Sequence, residues 1–117
     1  MRTHKDLEIW QRSIDLVENV YAQTKDFPQK EMFSLVPQIR RSAISVPSNI
    51  AEGAARHSNK EFIHFLYVAL GSLSELETQC LIAKRLGFIR NENILNEIEV
   101  IRRQLLNFIK FRKRQSK

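Results

Sequence analysis

The residues best suited to bind a ligand are basic side chains concentrated at the C-terminal end, 102–117. Seven of the 19 Lys and Arg residues fall there, and no acidic residue follows Glu99. Such a concentration of positive charge favours contact with phosphates or another polyanion. The same pattern fits the solvated end of a helix, where cations lie near the negative pole of the helix dipole. The candidate nucleic-acid-binding residues are Arg102, Arg103, Lys110, Arg112, Lys113, Arg114 and Lys117.

Part of this basic group falls on one helical face, because its members are separated by seven, four and three residues. These members are Arg103, Lys110, Arg114 and Lys117. Stacking of nucleic-acid bases requires aromatic side chains among the basic ones. Only Phe108 and Phe111 lie in this stretch of the sequence. The pattern therefore predicts binding to the backbone of RNA or DNA, without reading of the base sequence.

The sequence contains no convincing arrangement for catalysis or metal binding. Glu61 and His64 have the Glu-x-x-His spacing of di-metal carboxylate bundles, but such sites need two of these motifs and two further glutamates. Only one copy occurs, and Glu61 also fits a capping box with Ser58. Cys80 lies on an apolar stripe, whereas a nucleophilic thiol needs an exposed, electropositive place. We expect no catalytic residue, no metal and no cofactor, and therefore no enzyme.

Two adjacent arginines, Arg40 and Arg41, form a second candidate group. Their guanidinium groups could hold phosphates or make ion pairs between subunits, since each can bond two oxygens at once. The alternative is a structural ion pair with Glu52, or with Glu75 or Glu77 of the following helix. Because acids surround the two arginines, an interface or structural role is favoured over phosphate binding.

The periodicity of apolar residues predicts an all-α chain in one domain, 1–117. Its four helices span about 7–26, 31–56, 59–86 and 92–113. The links between them are short, which favours an antiparallel up-down-up-down four-helix bundle. Pro47 falls inside the second helix and predicts a kink or a break there. Pro37 fits the first turn of that helix, where its missing N–H does no harm.

One face of each helix supplies the predicted core. Its members are Trp10, Ile14, Val17, Ile39, Val46, Ile50, Phe62, Phe65, Leu66, Leu73, Leu76, Ile98, Leu105 and Phe108. The third helix carries a second apolar stripe, about 100° round from the first. A lone bundle buries one stripe per helix, so the second stripe favours self-association. A broad core seam flanked by ordinary exposed apolar residues would give the same pattern. The candidate interface or ion-pair residues are Arg40, Arg41, Glu52, Ile63, Tyr67, Leu70, Leu81 and Phe111.

The composition fits a soluble globular protein, with 43% hydrophobic and 27% charged residues and a net charge of +6. A single cysteine excludes an internal disulfide. Because no run of 18 apolar residues occurs, no transmembrane helix is predicted. We expect no membrane among the partners. The polar N-terminus has no apolar signal-peptide core behind it, so a reducing cytoplasm is the expected compartment.

Residues 38–53 read Gln-Ile-Arg-Arg-Ser-Ala-Ile-Ser-Val-Pro-Ser-Asn-Ile-Ala-Glu-Gly. Shorter motifs stand at 6–10, 27–28, 60–62, 70–77 and 86–89. Together these stretches closely resemble a bacterial family, the intervening-sequence or four-helix-bundle proteins, first noticed as reading frames within insertions in large-subunit ribosomal RNA genes. The resemblance implies an antiparallel four-helix bundle that assembles as a homopentamer. A related protein accompanies the reverse transcriptase of diversity-generating retroelements and binds nucleic acid through a basic surface.

Two functions follow from the basic end and the resemblance taken together. The first is a non-enzymatic, oligomeric accessory protein that binds the backbone of RNA or DNA. The alternative is a structural scaffold that binds no nucleic acid, whose basic end meets an acidic protein partner. The two differ in a measurable way, because backbone binding weakens steeply with salt.

Overall fold

A computed structural model of the chain describes residues 2–115 and confirms the predicted all-α class. Its four α-helices are α1 Glu8–Thr24, α2 Leu35–Ala54, α3 Asn59–Arg85 and α4 Asn93–Gln115. Short 3-10 helices precede α1 and α2, at His4–Asp6 and Gln29–Phe33. No strand occurs within residues 2–115. The helices form an elongated four-helix bundle measuring 49 × 21 × 19 Å.

Side-chain hydrogen bonds between α1 and α4 define how these two helices run. Gln104 of α4 donates to the carboxylate of Glu8, at the start of α1, over 2.7 Å. Asn19, further along α1, donates to Glu97 near the start of α4, also over 2.7 Å. Since later residues of α1 meet earlier residues of α4, the two helices lie antiparallel.

The contact between α2 and α3 is the most extensive in the bundle. Small polar side chains lie along it. The hydroxyl of Ser42, which is buried, donates to Gln79 over 2.7 Å. One turn further along α2, the hydroxyls of Ser45 and Ser72 are 2.8 Å apart. These bonds satisfy polar groups inside the contact and fix the register of the two helices.

The two prolines of α2 occupy different positions in the helix. Pro37 lies in its first turn, as predicted, because α2 begins at Leu35. Pro47 is buried inside α2, which continues unbroken to Ala54. Of the two outcomes considered at Pro47, the helix is therefore not split, and the kink stays a prediction.

The buried face of α1 differs from the predicted one by about a quarter of a turn. Trp10, Ile14 and Val17 are only half-buried. The buried residues are Ile9, Ser13, Leu16, Val20 and Thr24. Two of these are polar, but each hydroxyl bonds to a carbonyl of its own helix, Ser13 to Trp10 and Thr24 to Val20, both over 2.8 Å. A hydroxyl group that bonds to its own helix can be buried at low cost. The polar residues Ser13 and Thr24 therefore do not lie on the solvent-facing side of α1.

The predicted core positions on the other three helices are almost all correct. Those buried are Ile39, Val46, Ile50, Phe62, Leu66, Leu73, Leu76, Ile98 and Leu105. Phe65 and Phe108 are half-buried at the edge of the core. The described residues contain no helix long and apolar enough to cross a membrane.

Candidate nucleic-acid interface

The basic end of α4 lies beside the start of α3. Arg112 donates from Nε to the side-chain oxygen of Asn59 over 2.7 Å, and Asn59 donates back to the carbonyl oxygen of Arg112 over 2.7 Å. The Arg112 guanidinium also lies 4.9 Å from the centre of the Phe62 ring. Arg112 thus holds the end of α4 against the start of α3. Lys60, which follows Asn59 in α3, therefore lies near the basic end of α4.

Arg102 is directed into the contact between α3 and α4 and away from solvent. Its guanidinium is 2.6 Å from the Glu77 carboxylate and also donates to the hydroxyl of Ser74 over 3.1 Å. Glu99 lies 3.4 Å away on its own helix. Only 21% of the Arg102 side chain is exposed. The positive charge is therefore neutralised within the bundle.

The remaining basic residues of α4 face solvent. Arg103 is 74% exposed and has a loose contact with Glu99 at 3.7 Å. Lys110, Lys113 and Arg114 are exposed, and within residues 2–115 none of the three has an acidic partner. Lys117 lies outside the described residues. We call Lys60, Lys110, Lys113 and Arg114 the basic pole.

Lys60 belongs to the basic pole although it is far from the other members in sequence. Its side chain is exposed at the start of α3. The predicted site missed it, because the sequence alone does not give the register of α3 against α4. The Asn59–Arg112 pair sets that register. An arginine and an asparagine 53 residues apart carry no local signal of such a contact.

The predicted interface residues on α3 divide into two sets. Ile63 and Leu70 are half-buried and pack against the core, so they belong to a broad core seam. Tyr67 and Leu81 are exposed, by 43% and 45%. Phe111 of α4 is also exposed and stacks on Phe108, with ring centres 6.3 Å apart.

Arg40 and Arg41 lie at the opposite end of the bundle from the basic pole. Arg40 donates to the hydroxyl of Thr24 over 3.0 Å, and its guanidinium lies 4.4 Å from the centre of the Tyr21 ring. It therefore joins α1 to α2. Arg41 is exposed.

The acids considered as partners for these two arginines bond to other residues. Glu52 pairs with Arg56 at 3.3 Å, and Glu77 pairs with Arg102. Glu75 accepts a hydrogen bond from Gln79 over 3.4 Å. The structural ion pair weighed for Arg40 and Arg41 is therefore not formed with any of the three acids.

The side chains considered for catalysis or metal binding have structural positions, with Cys80 buried in the core and Glu61 bonded to Ser58 at the start of α3. Burial raises the pKa of the Cys80 thiol to about 12, and the nearby Glu77 carboxylate adds to the effect. Glu61 accepts a hydrogen bond from the Ser58 hydroxyl over 3.2 Å, and that hydroxyl in turn accepts from the Glu61 N–H over 3.1 Å. Within residues 2–115 no group of three or more His, Cys, Asp or Glu side chains is arranged to hold a metal ion.

Comparison with known proteins identifies the family. A solved structure with TM-score 0.81 and 26% sequence identity covers 87% of this chain and 95% of its own; it is a protein with unknown function from the S23 ribosomal protein family of Bacteroides thetaiotaomicron. No curated protein matches the chain. The model of the family described as 23S rRNA-intervening sequence protein matches residues 5–107. The chain therefore belongs to the 23S rRNA-intervening sequence protein family.

Proposed function

We propose that this protein is a non-enzymatic accessory protein that binds the phosphate backbone of RNA or DNA through the basic pole. The observation that carries the proposal is that Lys60, Lys110, Lys113 and Arg114 are all exposed at one end of the bundle, without an acidic partner among the described residues. Unpaired cations are free to replace the counterions of a nucleic acid, and release of those counterions drives binding. The family name, which refers to insertions in ribosomal RNA, agrees with a nucleic-acid partner.

The protein acts as a homo-oligomer in this proposal, and the resemblance described above favours a pentamer. Exposed apolar side chains at the end of α3, Leu81 and Ile82, and at Leu86, which directly follows the helix, support self-association, because water-exposed apolar area favours burial against a partner. Assembly would place several basic poles in one particle and strengthen the positive field. Light scattering at micromolar concentration measures the mass, and a monomer mass would contradict this part of the proposal.

The test of nucleic-acid binding compares two variants that lose the same charge at opposite ends of the bundle. The first changes Lys110, Lys113 and Arg114 to Gln. The control changes Lys25, Lys30 and Arg90 to Gln, all three exposed at the far end. Filter binding to RNA and DNA of mixed sequence over a salt series gives the slope of log affinity against log salt. The slope is about −0.9 per phosphate neutralised on duplex DNA and about −0.7 on a single strand.

The basic-pole variant is expected to weaken binding to all sequences alike and to make the slope shallower by about 2 to 3. The control is expected to retain nearly the wild-type slope, because its lost charges lie far from the bound phosphates. If the two variants weaken binding equally, the overall charge of the chain is responsible for binding, and a local binding site is contradicted.

The alternative function is a protein-interaction scaffold, and one observation favours it. The half-buried side chains of Trp10, Ile14 and Val17 border a groove of about 310 Å³ between α1 and α2. Ile44, Pro47 and Ala51 line its other side. An apolar groove of this kind suits a helix or loop of a partner protein. Weak, salt-insensitive retention of nucleic acid by wild type and both variants would leave this scaffold function standing.

A further inference from the structure

An exposed aromatic ring lies within the basic pole, contributed by α3. Tyr67 is 43% exposed, and the Lys113 ammonium of α4 lies 5.0 Å from the centre of its ring. Lys60, His64 and Tyr67 follow one another at spacings of four and three residues, which places them along one face of α3. All three are exposed. The structure thus places an aromatic ring of α3 among the cations, in addition to the exposed Phe111 that lies between Lys110 and Arg112 in the sequence of α4.

Gly71 leaves the Tyr67 ring open to solvent. A side chain on a helix covers the turn that precedes its own Cα, so a side chain at position 71 would extend over Tyr67, four residues earlier. A Cβ built at Gly71 meets no atom within 4 Å. No packing contact within the described chain therefore requires glycine at this position, although glycine weakens a helix. The absent side chain keeps one approach to the ring clear.

We infer that the basic pole takes single-stranded nucleic acid in preference to duplex, with an unpaired base stacked on Tyr67. The inference rests on the proposed function and adds the class of ligand. Proteins that bind single strands combine a cationic track for the backbone with aromatic rings for the bases, and such stacking tolerates any base. A base held in a duplex is already stacked and paired, so it cannot lie on the ring. Lys113, beside the ring, and Lys60, on the same face of α3, would contact the flanking phosphates.

The experiment measures fluorescence anisotropy of three labelled probes of equal length, namely oligothymidylate, an abasic oligonucleotide and a DNA duplex. Wild type is expected to bind oligothymidylate roughly 5- to 150-fold more tightly than the abasic probe, as for one stacked base. Tyr67→Leu keeps an apolar side chain but removes the ring, and it should reduce oligothymidylate affinity to that of the abasic probe. Tyr67→Phe keeps the ring and should retain wild-type affinity.

Gly71 supplies a second, independent pair of variants. Gly71→Leu should cover the Tyr67 ring and abolish the preference for oligothymidylate while leaving abasic binding unchanged. Gly71→Ala adds only a methyl group in open space and should retain the preference. Light scattering of each variant checks that the oligomeric mass equals that of wild type.

The outcomes separate the inference from the proposed function. If wild type binds the abasic and duplex probes as tightly as oligothymidylate, with a steep salt dependence, the inference is overturned and backbone binding stands. If no probe binds in a salt-dependent manner, both fail. If Gly71→Leu alters the oligomeric mass, this face of α3 is a contact between copies, and stacking on Tyr67 is overturned as well.

Discussion

Gly53 of α2 lies so close to Phe65 of α3 that a Cβ at position 53 would be 2.7 Å from the Cβ of Phe65. The carbonyl oxygen of Phe62 would be 3.2 Å away. A backbone atom cannot yield as a flexible side chain can, so the approach of the two helices depends on the missing side chain. Gly71 is also inside a helix, but a Cβ built at this residue would have no atom within 4 Å.

The two glycines are therefore expected to respond oppositely to alanine. Gly53→Ala should lower the free energy of unfolding by about 1–3 kcal/mol, because the methyl group forces α2 and α3 apart. Gly71→Ala should raise it by about 0.5–1 kcal/mol, since alanine is the better helix former. Urea unfolding followed by circular dichroism measures both. A change of the same sign in the two variants would contradict the close approach at Gly53.

Leu73 lies at the centre of the core and is fully buried. Leu73→Ala should lower the free energy of unfolding by about 2–5 kcal/mol, through lost burial and the cavity left behind. Leu106→Ala, at an exposed position of α4, is the matched control and should change it by less than about 0.5 kcal/mol. Similar losses in the two variants would mean that the bundle does not bury this face of α3.

The ion pair of Arg102 with Glu77 is expected to stabilise the bundle without contributing to ligand binding. Arg102→Gln should cost about 1–3 kcal/mol, because the half-buried Glu77 carboxylate loses its charged partner. Arg103→Gln, which removes an exposed charge one residue away, should change stability by less than about 0.5 kcal/mol. Affinity for nucleic acid should be unchanged in Arg102→Gln. A loss of affinity without a loss of stability would show that Arg102 belongs to the binding surface.

Much of the architecture was predictable from local patterns, whereas the composition of the site was not. The helices follow from apolar periodicity, and the positions of Ser58 and Pro37 follow from the chemistry of helix starts. The buried face of α1 was missed because Ser13 and Thr24 satisfy their own hydroxyls within the helix. A search for apolar periodicity treats serine and threonine as polar residues, although in the folded chain the hydroxyl groups of Ser13 and Thr24 have hydrogen-bond partners.

The site depends on contacts between helices, which a local pattern does not encode. Arg102 and Arg112 share the sequence environment of Lys110 and Arg114, yet both arginines bond to α3. Lys60 lies in the basic pole, and Tyr67 lies beside Lys113, only because of the register of α3 against α4. The sequence thus indicated the charge of this end, whereas the folded bundle determines which cations remain unpaired.

Glu97 should make stability depend on pH. Burial raises the pKa of its carboxyl group, with the hydrogen bond from Asn19 opposing and the Asp15 charge adding to the rise. The folded chain therefore holds this proton more tightly than the unfolded chain. Its contribution to stability is greatest in acid and declines as the pH rises through the raised pKa.

Glu97→Gln keeps an acceptor for Asn19 and removes the charge, so it should raise the free energy of unfolding at neutral pH. The gain over wild type should shrink as the pH is lowered through the raised pKa, and it should change no further once the pH is below the ordinary glutamate range. Glu18→Gln, at an exposed position of α1, removes the same charge as a control. Urea midpoints across the pH range measure the difference, and a gain that grows toward acid would contradict a pKa raised by partial burial of this carboxyl group.

Cys80 should report on opening of the core, because it is the single cysteine and is fully buried on α3. The thiolate is the reactive form, and burial raises the pKa of this thiol to about 12. Iodoacetamide at about pH 8 should therefore leave the native protein unlabelled and modify it readily in urea. Where reclosing is faster than labelling, the native rate follows the population of the open state. Leu73→Ala should then accelerate labelling roughly 30-fold or more, in proportion to its loss of stability. Labelling of native wild type as fast as a free thiol would show that α3 does not place Cys80 in the core.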